Sequence, residues 1–127
     1  MTLFTTADIQ QLYFNGLPSE VEKDHFPVVR LYRPYSDEVW LFSKLDPNNM
    51  KVFFGLIQDR YKVTMGHTNY RDLIPRKGSY ADPVVRDADF TGKYPLSVYR
   101  SAAYELGKII TDDKVLKRHR KSPKLKP

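Results

Sequence analysis

"PVVRLYRPYSDEVWLFSKLDPNNMKVFFGLIQDRYKVTMGH", residues Pro27 to His67, decides the fold. Four apolar runs are separated by short turn sequences. In Pro27–Arg33, Val29 and Leu31 alternate with Arg30 and Tyr32, the period of a strand with one buried face. Pro34-Tyr35-Ser36-Asp37 is turn chemistry. In Glu38–Leu45 the alternation places Val39, Leu41 and Leu45 on one face and Trp40, Phe42 and Lys44 on the other. After the turn Asp46–Asn49, Lys51–Gln58 is the most apolar run and reads as the sheet centre, with Gly55 marking a bulge or a close backbone approach. Beyond Asp59-Arg60, Tyr61–His67 is a fourth strand. Turns this short predict an antiparallel meander.

The flanks supply helices. Phe4-Thr5-Thr6-Ala7-Asp8-Ile9 is a helix start, with Thr5 as cap, Asp8 at the third helical position and Phe4 stapling onto Ile9. Ile9, Leu12 and Tyr13 form its apolar stripe, and Gly16 is expected to end it in the left-handed conformation. On the far side, Thr68–Ile74 reads as one or two helical turns started by Asn69 and stopped by Pro75. Arg76–Pro83 reads as a loop and Val84–Phe90 as a fifth strand. Pro95 opens a longer helix reaching Ile110, whose face Tyr99, Ala102, Ala103, Leu106 and Ile110 is expected to cover one side of the sheet. The predicted fold is one α+β domain: an antiparallel sheet of about five strands with an N-terminal helix and a longer C-terminal helix.

Charge sets the domain limits. The 127 residues carry 21 Lys and Arg against 15 Asp and Glu, and seven of the basic residues fall within Lys114–Pro127, which has no acidic residue. Residues 1–113 are therefore close to neutral and are read as the domain. Residues 114–127 are read as a basic tail, expected to be disordered alone because its cations and prolines offer no apolar face. Deleting it is expected to leave the melting temperature nearly unchanged.

The absence of cysteine excludes disulfides, thiolate zinc sites and a cysteine nucleophile. "MTLFTTADIQQ" lacks the basic and apolar segments of a signal peptide, and no apolar run is long enough to span a membrane. A soluble, cytoplasmic protein without membrane contact is expected. His25, His67 and His119 have no ligand spacing, and there is no G-x-S-x-G and no phosphate-cradling glycine loop. No cofactor and no metal is expected.

Metal-dependent cleavage of a phosphodiester would need converging carboxylates. The weak catalytic candidates are Asp59, Asp87, Asp89 and His67, with Asp46 and Asp72 behind them. Asp87 and Asp89 would share a face on a strand. Tyr32, Trp40, Phe42 and Tyr61, interleaved with Arg30 and Lys44, could form a stacking platform for bases or could be core beneath the C-terminal helix. Trp40 and Phe42 are read as core, and Tyr32 with Arg30 as an exposed pair. The remaining binding candidates are the tail cations Lys114, Lys117, Arg118, Arg120, Lys121, Lys124 and Lys126.

The ordered segments "FPVVRLYRP", "VWLFSKLDP", "VFFGLIQD", "VVRDADF" and "YPLSVY" resemble a family of small bacterial proteins filed as a domain of unknown function. Its members are common on plasmids and other mobile elements, and some are labelled single-stranded DNA endonuclease. The resemblance spans Leu3 to Ile110 and rests on Pro27-Val28-Val29, Leu31, Trp40-Leu41, Leu45-Asp46-Pro47, Phe54-Gly55-Leu56, Asp59, Gly66, Leu73, Arg86-Asp87, Phe90 and Pro95-Leu96-Ser97 with Tyr99. It implies a small accessory protein of a mobile element. The expected function is non-enzymatic binding of nucleic acid or a nucleoprotein complex. The alternatives are a protein inhibitor of a bacterial defence system, of anti-CRISPR or anti-restriction type, and a metal-dependent single-stranded DNA endonuclease.

Overall fold

The computed structural model describes residues 3–75, 78 and 82–120. Its elements run α1 (Thr6–Asn15), β1 (Val29–Tyr32), β2 (Val39–Asp46), β3 (Asn49–Gln58), β4 (Val63–Asn69), a 3-10 turn at Tyr70–Asp72, β5 (Val85–Arg86), α2 (Leu96–Leu106) and α3 (Asp113–His119). The five strands form one sheet in the order β4-β3-β2-β1-β5. Every pairing is antiparallel. The α+β class, the sheet and both expected helices are present, and α3 is an addition. Most of the loop expected between Arg76 and Pro83 lies outside the described residues, as does Lys121–Pro127.

The helices take opposite faces of the sheet. α1 lies over Val29, Leu31, Trp40, Phe42, Leu45 and Phe53, and Phe4 stacks on Phe53 with ring centroids 4.5 Å apart. α2 and α3 close the other face, where Leu41 and Leu56 pack with Tyr99, Ala102 and Leu116. Trp40 and Phe42 are core, as expected, but the N-terminal helix covers them.

A shift in the β2–β3 register between Phe42 and Lys44 corrects the expected alternation. The extra residue, Ser43, turns the strand over, because side chains change face with every residue. Leu45 thereby joins Trp40 and Phe42 on the α1 face. Lys44, expected beside those aromatics, points to the α2 face and lies 4.8 Å from the centroid of Phe54. The bulge is tied to α1 through Asn15, whose side-chain amide donates to the Ser43 carbonyl at 2.9 Å.

The capping box of α1 forms as read: Thr5 Oγ1 accepts from the Asp8 amide at 3.0 Å, and Asp8 returns the bond to the Thr5 amide at 2.9 Å. Gly16 differs from expectation. Its φ is −89°, in the right-handed region. Glycine is required there for space, since a Cβ would lie 1.9 Å from the Leu45 carbonyl oxygen. β5 shrinks to two residues because Asp87 Oδ1 accepts from the Asp89 amide at 3.0 Å, bending the chain off the sheet. α2 stops at Leu106, since Gly107 takes a φ of 78° and caps it, so Ile110 falls outside the helix.

The domain boundary also moves. Lys114–His119, read as disordered tail, lies within α3, and Leu116 is buried. Asp112 starts the helix by accepting from the Lys114 amide at 3.0 Å. Tyr94 donates to Asp113 at 2.6 Å, and His119 meets Glu105 at 2.9 Å and Ser101 at 2.9 Å, fastening both ends to the domain.

Candidate nucleic-acid interface

Burial of Leu116 fixes the rotation of α3. Its solvent side then carries Lys114, Lys117 and Arg118, all exposed, with Arg120 exposed just beyond. The first three recur at i, i+3 and i+4, so a 3.6-residue period gathers them into one stripe. Lys117 sits 3.9 Å from Asp113, an exposed pair that leaves its charge largely available. Four of the seven tail cations are thus presented on or beside an ordered helix, while Lys121, Lys124 and Lys126 lie outside the described residues.

Arg30 and Tyr32 do lie together. The Arg30 guanidinium sits 5.1 Å from the Tyr32 ring centroid, on the face occupied by α2 and α3. They are half-buried, and Arg30 is held by Asp87 at 3.2 Å. That pairing answers much of the charge of Arg30, which was expected to be exposed with Tyr32.

The catalytic candidates are scattered. Asp59 belongs to the β3–β4 turn, where Oδ1 accepts from the amides of Tyr61 (2.8 Å) and Lys62 (3.0 Å); these bonds hold its carboxyl below the usual range. Asp87 and Asp89 lie beyond β5 at the other side of the sheet, and Asp87 is committed to Arg30 and to the Asp89 amide. They do not share a strand face, because the chain has already turned. His67 is exposed on β4 and tilts against Phe54 with centroids 5.0 Å apart. Among the described residues, no group of three or more His, Asp or Glu could hold a metal ion.

A second surface brings Tyr61, expected beside Tyr32 on a sheet face, together with Tyr104, which the sequence did not single out. Tyr61, read as the start of a strand, is instead at the tip of the β3–β4 turn, 84% exposed, with the Arg60 guanidinium 5.7 Å from its centroid. Across from it on α2, Tyr104 is 54% exposed, with Arg100 at 5.9 Å. Both tyrosines line one shallow groove with Lys62, Val63 and Gly107. The i, i+4 spacing of Arg100 and Tyr104 on the polar side of a helix was the available signal. A neighbouring depression joins Lys44, Phe54, Met65, Ser97 and Arg100. There Lys44 donates to the Val21 carbonyl at 2.6 Å, and burial lowers its pKa against the opposing pull of Glu22.

Among the described residues, no helix is long and apolar enough to cross a membrane. No curated protein and no solved structure matches the chain. One family does, over residues 3–110, from the residue before Phe4 into the segment that joins α2 to α3. On that match the chain belongs to the family described as protein of unknown function, DUF2958.

Proposed function

We propose that the protein binds nucleic acid through its phosphates, as a non-enzymatic accessory protein of a phage or plasmid. The observation that carries this reading is the stripe of Lys114, Lys117 and Arg118 on the exposed side of α3. A helix anchored at Leu116 holds these cations at fixed spacing, so less side-chain and backbone freedom is lost on binding than from a flexible arm. The following Lys121, Lys124 and Lys126 extend the same charge along the sequence. Contacts of this kind go to phosphates and carry little base information.

The test is binding of labelled duplex and single-stranded DNA, followed by fluorescence anisotropy at low salt. Charge reversal by Lys114→Glu, Lys117→Glu and Arg118→Glu together is expected to weaken binding at least tenfold with the fold retained. Unchanged affinity in that variant would remove α3 from the interface. Because Asp59 and His67 lie apart from the Asp87–Asp89 turn, and no three of these groups converge among the described residues, binding without cleavage in Mg²⁺ or Mn²⁺ is expected.

The defence-inhibitor reading has a separate support. β4 is an edge strand of seven residues, Val63–Asn69, without a charged residue or a proline. Natural edges are usually blunted by such residues, and an unprotected edge can accept a strand from another protein. Capture of a host protein that survives nuclease treatment would favour that reading over nucleic-acid binding.

A further inference from the structure

We infer that the groove between the β3–β4 turn and α2 is a base-stacking site for single-stranded nucleic acid, with Tyr61 and Tyr104 as its two platforms. The inference rests on the nucleic-acid reading above and adds to it a preference for single strands.

Four features of the groove converge. Tyr61 and Tyr104 are the two tyrosines that line it, and each is more than half exposed. Each ring has a guanidinium near it, Arg60 on one and Arg100 on the other. Lys62 adds a third cation at the rim. Among the described residues no acid lines the groove: Glu105 pairs with His119 on the α3 side of α2, Glu38 pairs with Arg33, and Asp37 and Asp59 line a separate depression beside Arg60 and Tyr61.

The chemistry follows from these placements. A flat aromatic surface left in water is satisfied by a planar partner, and each base has a π-face that can stack without regard to sequence. A cation beside each ring can reach the phosphate that accompanies a stacked base while also contributing a cation–π term. An acidic peptide would use the cations and leave both rings idle. Duplex DNA would do the same, because its bases are already stacked inward; only unpaired nucleotides bring both partners.

α2 separates this groove from the basic stripe of α3. Ser101 and Glu105 face α3, while Arg100 and Tyr104 lie toward β4. A single strand crossing α2 could therefore use both surfaces, phosphates on α3 and bases on the tyrosines.

The experiment compares a labelled oligothymidine with duplex DNA, using Tyr61→Ala with Tyr104→Ala and, in parallel, Tyr61→Phe with Tyr104→Phe. The alanine pair is expected to weaken oligothymidine binding on the order of tenfold or more, the scale of losing stacked bases. Duplex affinity is expected to stay within about twofold, and the phenylalanine pair is expected to bind like the wild type, since the ring is kept. Circular dichroism should be unchanged in both, because the side chains are exposed.

If the alanine pair binds oligothymidine normally while charge reversal on α3 abolishes binding, the stacking site is overturned and the phosphate reading stands. If the wild type binds neither DNA at low salt, both fall. Equal losses by the alanine pair for oligothymidine and for duplex DNA would overturn the assignment, because the tyrosines would then act without stacking on unpaired bases.

Discussion

Arg86 grips Asp8 through both carboxylate oxygens, at 2.6 and 2.8 Å, and so joins the edge strand β5 to the first turn of α1. Asp8 is also the reciprocal member of the α1 capping box. One side chain thus serves a helix start and a tertiary link between helix and sheet. Burial pushes the Asp8 carboxyl upward, but the Arg86 guanidinium and the bonds to Thr5 outweigh it and hold the pKa below its ordinary value.

Replacing Asp8 should therefore be costly. Asp8→Asn leaves Arg86 without its charged partner and weakens the cap, and a loss of about 3 kcal/mol is expected from urea denaturation. The pH dependence has a definite sign. A folded-state pKa below the unfolded one contributes stability that is fully present above about pH 4 and is lost as pH falls through the folded value. The gap between wild type and Asp8→Asn should accordingly narrow on going from about pH 6 to about pH 3. A constant gap would mean that the carboxylate charge is not what stabilises this link.

Leu116 gives the second prediction. Its burial against the α2 face makes α3 part of the fold. Leu116→Ala is expected to cost about 2–3 kcal/mol, toward the low end for a buried leucine because α3 lies at the margin of the core. Truncation after Asp113 should lower the melting temperature by several degrees, reversing the expectation from charge alone. Truncation after Arg120 should leave it nearly unaltered. Thermal denaturation of the two truncations decides the matter.

The meander was legible because its turns and apolar alternation agree, and α1 because Thr5 and Asp8 have capping-box spacing. Two other features were hidden for physical reasons. The bulge at Ser43 has no marker in "WLFSKL", because its cause is tertiary: a carbonyl held by Asn15 from a helix far away in sequence. α3 was obscured by composition. Counting cations in "DDKVLKRH" masked Asp112 as a cap and the Val115, Leu116 and His119 positions, which share a helical face. The candidate site suffered likewise. Lys44 was assigned to the wrong face by the missed bulge, and Tyr104 lies on a helix judged only by its buried side.

Close backbone approach separates the glycines, and this is the third prediction. At Gly55 a Cβ would fall 1.8 Å from the Leu41 carbonyl oxygen, so Gly55→Ala must force β2 and β3 apart beside the bulge. At Gly66, its partner on β4, the nearest atom would be Ile57 Cδ1 at 3.4 Å. Gly55→Ala is expected to destabilise by about 2–3 kcal/mol, the scale of overpacking. Gly66→Ala should change stability by less than about 1 kcal/mol. Equal effects in chemical denaturation would argue against the tight β2–β3 register.

The last prediction concerns the basic segment as an electrostatic device. Each phosphate neutralised on duplex DNA contributes about −0.9 to the log–log dependence of affinity on salt. The seven cations of Lys114–Pro127 set a ceiling near −6. Truncation after Arg120 keeps four of them, all on or next to α3, and lowers the ceiling to about −4. A slope near that value in the truncated protein, with measurable affinity retained, would assign binding to the ordered helix. A slope near zero with affinity lost would place the interface in the last seven residues. Truncation at Ile110 cannot make this distinction, because it removes Leu116 along with the charges and so disturbs the fold. Charge reversal of Lys114, Lys117 and Arg118 avoids that difficulty: it leaves Leu116 seated, and melting temperature reports whether the helix remains docked. Near-native melting with a shallower salt slope is the result expected of a helix that meets phosphates with one side and the core with the other.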